Sequence, residues 1–211
     1  TMSKSSVSFS EEEYLLAGEK TIVESLGGFE FEISANSFFQ TNSKQAKNLY
    51  DTVVDYAELS GNETVYDLYC GAGTISLYLS PHAKKVVGFE SVADAIRDAE
   101  RNQTRNNVSS CRFVEMDLKN LKHSYGQMTK NHGRPHVMVI DPPRAGMHPD
   151  TLETVLELDP DRVVYVSCNP ASLARDAAIM CQGKYHLQKI KPLDMFPHTA
   201  HVEVVAQLVK T

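Results

Sequence analysis

The chain has 211 residues, 42% of them hydrophobic and 23% charged, enough to bury one main core. No apolar run reaches the ~20 residues of a membrane span and no secretory h-region opens the chain, so no membrane partner is expected and the setting is read as cytoplasmic. Cys70, Cys111, Cys168 and Cys181 form no CxxC pair, which argues against a zinc knuckle, a disulfide framework or any other metal centre.

The formal charge of −6 argues at first sight against a nucleic-acid partner, because phosphate attraction calls for a basic face. Its distribution changes that reading. Residues 1–61 carry 4 Lys+Arg against 10 Asp+Glu, and residues 62–211 carry 17 of each sign. The acidity belongs to the front of the chain alone.

Residues 1–10 are polar and Ser-rich and read as disordered or vector-derived. Residues 11–61 read as an extension: "TIVESLGGFEFEIS" gives two short strands around Gly27 and Gly28, a hairpin. "NSKQAKNLYDTVVDYAEL" gives a helix capped at Asn42 or Ser43, with Ala46, Leu49, Val53 and Val54 on one face. From residue 62 an alternation begins and continues to 211. Its strands are "TVYDLY" (64–69), "KVVGFE" (85–90), "CRFVEMD" (111–117), "HVMVID" (136–141) and "RVVYVS" (162–167). Helical segments fall at "TISLYLSP", "VADAIRDAERNQTRNN", an uncertain stretch near 118–128, "PDTLETVLEL" and "PASLARDAAIM". Between Asp117 and Asp141 no acidic residue occurs, and Lys119, Lys122, Lys130 and Arg134 sit in a loop-like stretch that either meets phosphates or is simply solvated. "YHLQKIKPLDMF" and "HVEVVAQLVK" close the chain as an antiparallel edge pair. The predicted fold is α/β: a Rossmann-like, mostly parallel sheet with that edge pair and a short N-terminal hairpin and helix extension.

"DLYCGAGTIS" follows the first strand of the alternation and opens a helix. Gly71 and Gly73 permit a sharp turn and close approach of a ligand to the backbone. The third glycine of a dinucleotide fingerprint is missing, since position 76 is Ser, so a pyrophosphate is disfavoured. The next strand ends at Glu90, where a carboxylate can accept both hydroxyls of a ribose, and the following two end at Asp117 and Asp141. Ligands of open α/β sheets bind at that edge. The constellation resembles class I S-adenosylmethionine-dependent methyltransferases, and a cationic sulfonium suits an acidic site.

"VIDPPRAGMH" resembles the (D/N)PP(Y/F) loop of amino-group methyltransferases, but Arg144 stands where the stacking aromatic would be. The thiol at the next strand end then needs an account. Carbon 5 of uracil is a weak nucleophile. A thiolate adding to carbon 6 raises its electron density, and a base must afterwards remove the carbon-5 proton. Cys168 leads into a helix, whose N-terminus is expected to lower a thiol pKa. Glu203 is a carboxylate in an otherwise apolar strand, costly there without work or a partner. Period two places it with His201 and Val205 on one face, and Val202, Val204 and Ala206 on the other.

"SFFQTN", "DLYCGAGTISL", "IDPPRAG", "VYVSCNPASLARD" and "HTAHVE", in this order and spacing, resemble the RNA (uracil-5-)-methyltransferase family, over about residues 20–210. The resemblance implies Cys168 as nucleophile and Glu203 as proton acceptor. It implies S-adenosylmethionine contacts from Gln40, Tyr69, Gly71, Thr74, Glu90 and Asp141, with Asp117 beside the adenine. Phe38 and Phe39 stack on the target base or the cofactor, or pack in the core. The implied substrate is RNA, with ribosomal RNA favoured over tRNA by the segment 148–170. Family members generally carry an N-terminal RNA-binding barrel, so the chain reads as a catalytic part separated from that module. Two other readings stay open: a scaffold that binds the cofactor without turnover, and an amino-group methyltransferase acting through the DPPR loop. Cys70 and Cys111 read as packing residues, and Cys181 has no evident role. His198 and His201 lack a further ligand cluster for a metal. Arg144 and Arg175 either contact phosphate or pair with acids such as Asp176.

Overall fold

The computed structural model describes residues 14–35 and 38–211; the stretch 1–10, expected to be disordered or vector-derived, lies outside them. Strands β1 (Thr21–Leu26) and β2 (Phe29–Ser34) pair antiparallel across Gly27 and Gly28, both at positive φ. Helix α1 (Ser43–Ala57) starts at Asn42, whose Oδ1 accepts the Gln45 amide at 3.2 Å, so Asn42 rather than Ser43 is the cap. Its buried face carries Ala46, Leu49, Tyr50 and Val53.

Strands β3 (Thr64–Leu68), β4 (Lys85–Glu90), β5 (Cys111–Glu115), β6 (Val137–Ile140), β7 (Arg162–Ser167), β8 (Tyr185–Leu193) and β9 (Glu203–Lys210) form one sheet in the order β5-β4-β3-β6-β7-β9-β8. β3 to β7 run parallel, and β9 is antiparallel to both β7 and β8. Helices α2 (Thr74–Leu79), α3 (Ala93–Arg105), α4 (Leu121–His132), α5 (Pro149–Leu158) and α6 (Pro170–Met180) make the crossovers. The valine-rich runs are apolar on both sides because both faces of the sheet are covered. Val65, Val86, Val139 and Val164 enter one core with α1, α2 and Phe31 of the hairpin. Their neighbours Tyr66, Val87, Met138 and Tyr165 enter the other with α4, α5 and α6. The direction of winding reverses between β3 and β6, and in open α/β sheets ligands bind beyond the carboxyl ends of the strands at that point.

The stretch after Asp117, read both as loop-like and as an uncertain helix near 118–128, is helical: residues Leu118–Asn120 form a 3-10 turn and α4 follows. Leu121 and Met128 anchor it, two turns apart on one face. The remaining positions are polar and include Gly126, which hides the period. Lys122 pairs with Glu153 and Arg134 with Asp159, so those two charges are already partnered. In β9 the period-two division holds, with Val205 in one core and Val204, Ala206 and Leu208 in the other, and both faces are buried from Glu203 to Leu208. The strand lies between β7 and β8 rather than at the rim, and His201 falls before it.

Candidate active site

The glycine loop places three alternate residues, Tyr69, Gly71 and Gly73, in the left-handed region. Gly71 has φ 52° and Gly73 has φ 79°. A Cβ on Gly73 would sit 2.7 Å from the Phe113 ring and 3.0 Å from Ala99, whereas one on Gly71 would meet nothing within 4 Å. Gly73 therefore serves packing, and Gly71 faces open space. Tyr69 is non-glycine at φ 65°, a conformation that costs about 1–3 kcal/mol and marks functional sites. Its amide and that of Cys70 donate to the Phe89 carbonyl at 3.0 and 3.1 Å. Cys70 packs against Gly88, where a Cβ would lie 2.8 Å from the sulfur. Burial pushes both the Cys70 and Cys111 thiols up, Cys111 to about 12, as befits packing residues.

Glu90 ends β4 beside this loop. Its Oε1 accepts the Ser91 amide at 2.6 Å, the Ser91 hydroxyl at 3.0 Å and the Val92 amide at 3.0 Å, and its Oε2 accepts the Gly71 amide at 3.3 Å. The carboxylate thus joins the loop to the entry of α3 and is held ready for hydroxyl donors. Asp117 caps the 3-10 turn, with Oδ1 accepting the Lys119 amide at 3.0 Å. Thr74 is buried at the head of α2. Gln40 is 6% exposed, and its Oε1 has no hydrogen-bond partner among the described residues.

Several residues escaped the sequence reading. Asp67, fully buried in β3, accepts the Ser76 hydroxyl through Oδ2 at 2.6 Å, while Oδ1 is unpartnered. Burial, with Glu90 adding to it, pushes its carboxyl up to about 7. Asn102 of α3 donates to the Ala72 and Glu32 carbonyls, both at 3.2 Å, which ties the glycine loop to the hairpin. Tyr50 of α1 has its hydroxyl pKa pushed up by burial and by Asp141. Asp67 carried the one available signal, a carboxylate in an apolar strand as at Glu203; Asn102 and Tyr50, in ordinary helical patterns, carried none.

The carboxyl ends of β6, β7 and β9 bring the chemical groups together. The register of β7 and β9 ends with Ser167 paired to Val204, the immediate neighbours of Cys168 and Glu203, and Glu203 is near enough to act on the Cys168 thiol. Cys168 is half-buried and Glu203 is 4% exposed. Asn169 caps α6, its Oδ1 accepting the Ala171 amide at 3.2 Å, and its Nδ2 donates to the Arg144 carbonyl at 2.9 Å. The DPPR loop and the thiol's own helix are thereby locked together.

The electrostatics correct the expected activation of the thiol by a helix N-terminus. Burial, then Glu203 and Asp141, push the Cys168 thiol above its ordinary value, and Arg144 opposes them. Burial first, and then the two acids, set the direction of the shift. Burial likewise raises Glu203 against the pull of Arg144. Asp141 is pushed up to about 7 by burial, Glu203 and Asp67.

The ambiguous residues separate. Phe39 packs against Phe31 with centroids 5.8 Å apart, while Phe38 is 72% exposed. Arg175 pairs with the buried Asp176 through Nε at 2.8 Å and Nη2 at 2.7 Å, and also donates to the Ala145 carbonyl at 2.9 Å. Asp176 accepts the Met147 amide at 3.0 Å and the Tyr165 hydroxyl at 2.7 Å. That pair clamps the DPPR loop from behind. No carboxylate among the described residues lies within ion-pair distance of Arg144. Cys181 is exposed at the end of α6. Among the described residues no group of three or more His, Cys, Asp or Glu is placed to hold a metal, and no helix is long and apolar enough to cross a membrane.

A sheet in this order, with a glycine loop after its first parallel strand and acids at the following strand ends, is that of a class I S-adenosylmethionine-dependent methyltransferase. A putative enzyme of that class from Streptococcus mutans shares the fold at 12% identity, with a TM-score of 0.69 over 93% of this chain and 57% of that one. The tRNA (uracil-5-)-methyltransferase profile matches residues 11–211, and the chain belongs to that family. It is 40% identical to the Pyrococcus abyssi tRNA (uracil-54, C5)-methyltransferase, solved in complex with S-adenosyl-L-homocysteine, with a TM-score of 0.81 over 98% of this chain and 48% of that one. An uncharacterised RNA methyltransferase of Chlorobaculum tepidum is 47% identical over 98% of this chain and 42% of the relative. A Bacillus cereus relative of the same description is 45% identical over 97% and 44%. The chain spans less than half the length of these relatives.

Proposed function

We propose that the chain transfers a methyl group from S-adenosylmethionine to carbon 5 of a uridine in RNA through a transient bond between Cys168 and carbon 6. The observation that carries this reading is the end of the β7–β9 pairing, where Ser167 meets Val204 and a half-buried thiol and a buried carboxylate stand next in line on the two chains. An amino-group methyltransferase needs neither, and a scaffold has no use for an acid buried at that cost.

The residues present fit the cofactor. Among the described residues Gln40 Oε1 and Asp67 Oδ1 are buried and unpartnered, Gly71 has no Cβ contact, and Asp67 feels Glu90 while Asp141 feels Asp67 and Glu203. Gly71, Thr74 and Tyr69 would hold the methionine end, Glu90 the ribose and Asp117 the adenine side. When bound, the cofactor supplies an electrophilic methyl group on a sulfonium. Cys168 forms the bond to carbon 6 as its thiolate and pushes an electron pair toward oxygen 4, leaving an enolate with carbon 5 nucleophilic. Once carbon 5 carries the methyl group, Glu203 takes its proton, the carbon 5–carbon 6 double bond reforms and the sulfur leaves.

Ribosomal RNA, in the cytoplasm, is the substrate we favour on the segment 148–170, and residues 62–211 with the extension 11–61 constitute the methyl-transfer unit. An RNA-binding module in the additional length of the relatives would supply affinity that a chain of charge −6 lacks. Incubation with 5-fluorouridine-substituted ribosomal and transfer RNA tests both points. Carbon 5 then carries fluorine, which no base removes, so an SDS-resistant adduct forms only with a cysteine enzyme and on the RNA it recognises. Absence of any adduct rejects the covalent route.

Two further results are expected for the cofactor. Glu90→Ala weakens calorimetric binding of S-adenosylmethionine by ~1.5–3 kcal/mol, the worth of hydrogen bonds to a charged group; unchanged affinity removes the ribose assignment. Binding also tightens as pH rises from 6 to 7.5. Asp67 and Asp141 both titrate near 7, a cation prefers their ionised forms, and each acid that must ionise contributes up to about tenfold per pH unit below its pKa. A flat profile over that window overturns the role given to these acids.

A further inference from the structure

Arg144 is held by its head as well as by its backbone. Its Nη1 lies 3.4 Å from Nδ1 of His201, a residue 57 positions away. The His201 ring is itself oriented: it meets Phe196 edge-on at 83°, with centroids 6.5 Å apart. Its amide donates to Thr199 Oγ1 at 3.1 Å, and that hydroxyl donates to the Phe196 carbonyl at 2.7 Å. A guanidinium has donors only, so a hydrogen bond here requires Nδ1 to be the acceptor, with the ring neutral and its proton on Nε2.

We propose that His201 is a positioning residue, which holds the Arg144 guanidinium toward Cys168 and Glu203 without neutralising it. The choice of holder is what gives the arrangement its sense. A carboxylate would bind the guanidinium more tightly, as Asp176 does Arg175, and would cancel its charge. A neutral imidazole fixes the same group and leaves the charge available. That charge opposes the upward push on both the thiol and the carboxylate, favouring the thiolate that adds to carbon 6. The groups facing this cluster are Arg144 from the β6–α5 loop, Cys168 from the end of β7, Asp141 from the end of β6 and Glu203 from β9. His198 lies in the same connection as His201.

This role rests on the assignment of Cys168 as nucleophile, but its test reads the thiol directly and needs no methyl transfer. The 211-residue chain carrying Cys181→Ser, which removes the exposed thiol, is alkylated with iodoacetamide across pH 6–10, and modification of Cys168 is followed by peptide mass. Arg144→Ala is expected to raise the alkylation midpoint by about half a pH unit or more, the scale of one nearby charge. His201→Ala raises it in the same direction. His201→Asn, whose amide oxygen can accept from Nη1, returns at least half of the shift. In the Arg144→Ala background, His201→Ala has no further effect, because it acts through that arginine. Two outcomes overturn the proposal: a His201→Ala profile that superimposes on its parent, or a shift that persists unchanged when Arg144 is already absent. Loss of methylation with the alkylation series intact would instead indict the proposed reaction and leave the positioning role standing.

Discussion

Cys168→Ala abolishes methylation and covalent trapping together, with turnover down by roughly 10⁴-fold or more, the scale seen when a nucleophile is removed. Without addition to carbon 6 there is no enolate, and nothing else in the site raises the electron density of carbon 5. Calorimetric cofactor binding should survive, because the glycine loop is held by Phe89, Glu90 and Asn102 rather than by the thiol. The check is incorporation of labelled methyl groups into RNA beside a denaturing gel on 5-fluorouridine RNA. Residual methylation above a few per cent returns the thiol to the packing role of Cys70 and Cys111.

Glu203→Gln has the opposite signature. Addition and methyl transfer proceed, then the adduct stalls, since an amide does not take the carbon-5 proton. Turnover falls ~10²–10⁴-fold, the usual contribution of a positioned base, while a methylated protein–RNA adduct accumulates on ordinary uridine RNA. Wild type shows such an adduct only on the fluorinated RNA. Removing a buried acid whose pKa is raised also relieves Cys168 of a charge that pushes its thiol up. The variant therefore forms its adduct at least as readily below neutral pH, and a variant that neither turns over nor traps argues for a structural role.

The sequence made much of this legible where local pattern and tertiary role coincide. β4, β7, α5 and α6 have the bounds that their apolar runs and Asn-Pro or His-Pro starts predict. α4 was legible only as an uncertain stretch near 118–128, because two buried residues among mostly polar ones carry no clear period. The position of β9 inside the sheet was recoverable from its unbroken "VVA" run, against the polar exposed positions and Pro192 of β8, which mark a rim strand. The thiol's electrostatics were not recoverable. A helix N-terminus is visible in sequence, but the acids that push the thiol up arrive from β6 and β9, 27 residues before and 35 after. The same holds for Asp67, whose one idle oxygen is a property of packing around it.

The order of strands also sets a timetable for assembly. β8 is made before β9, yet among the described residues its sole neighbour in the sheet is β9, so during synthesis β8 has no edge to join until β9 emerges and slides in against β7. That same strand carries the carboxylate that acts on the thiol. A nascent chain can thus complete its parallel strands, and even close the glycine loop, while Cys168 still lacks its acidic neighbour.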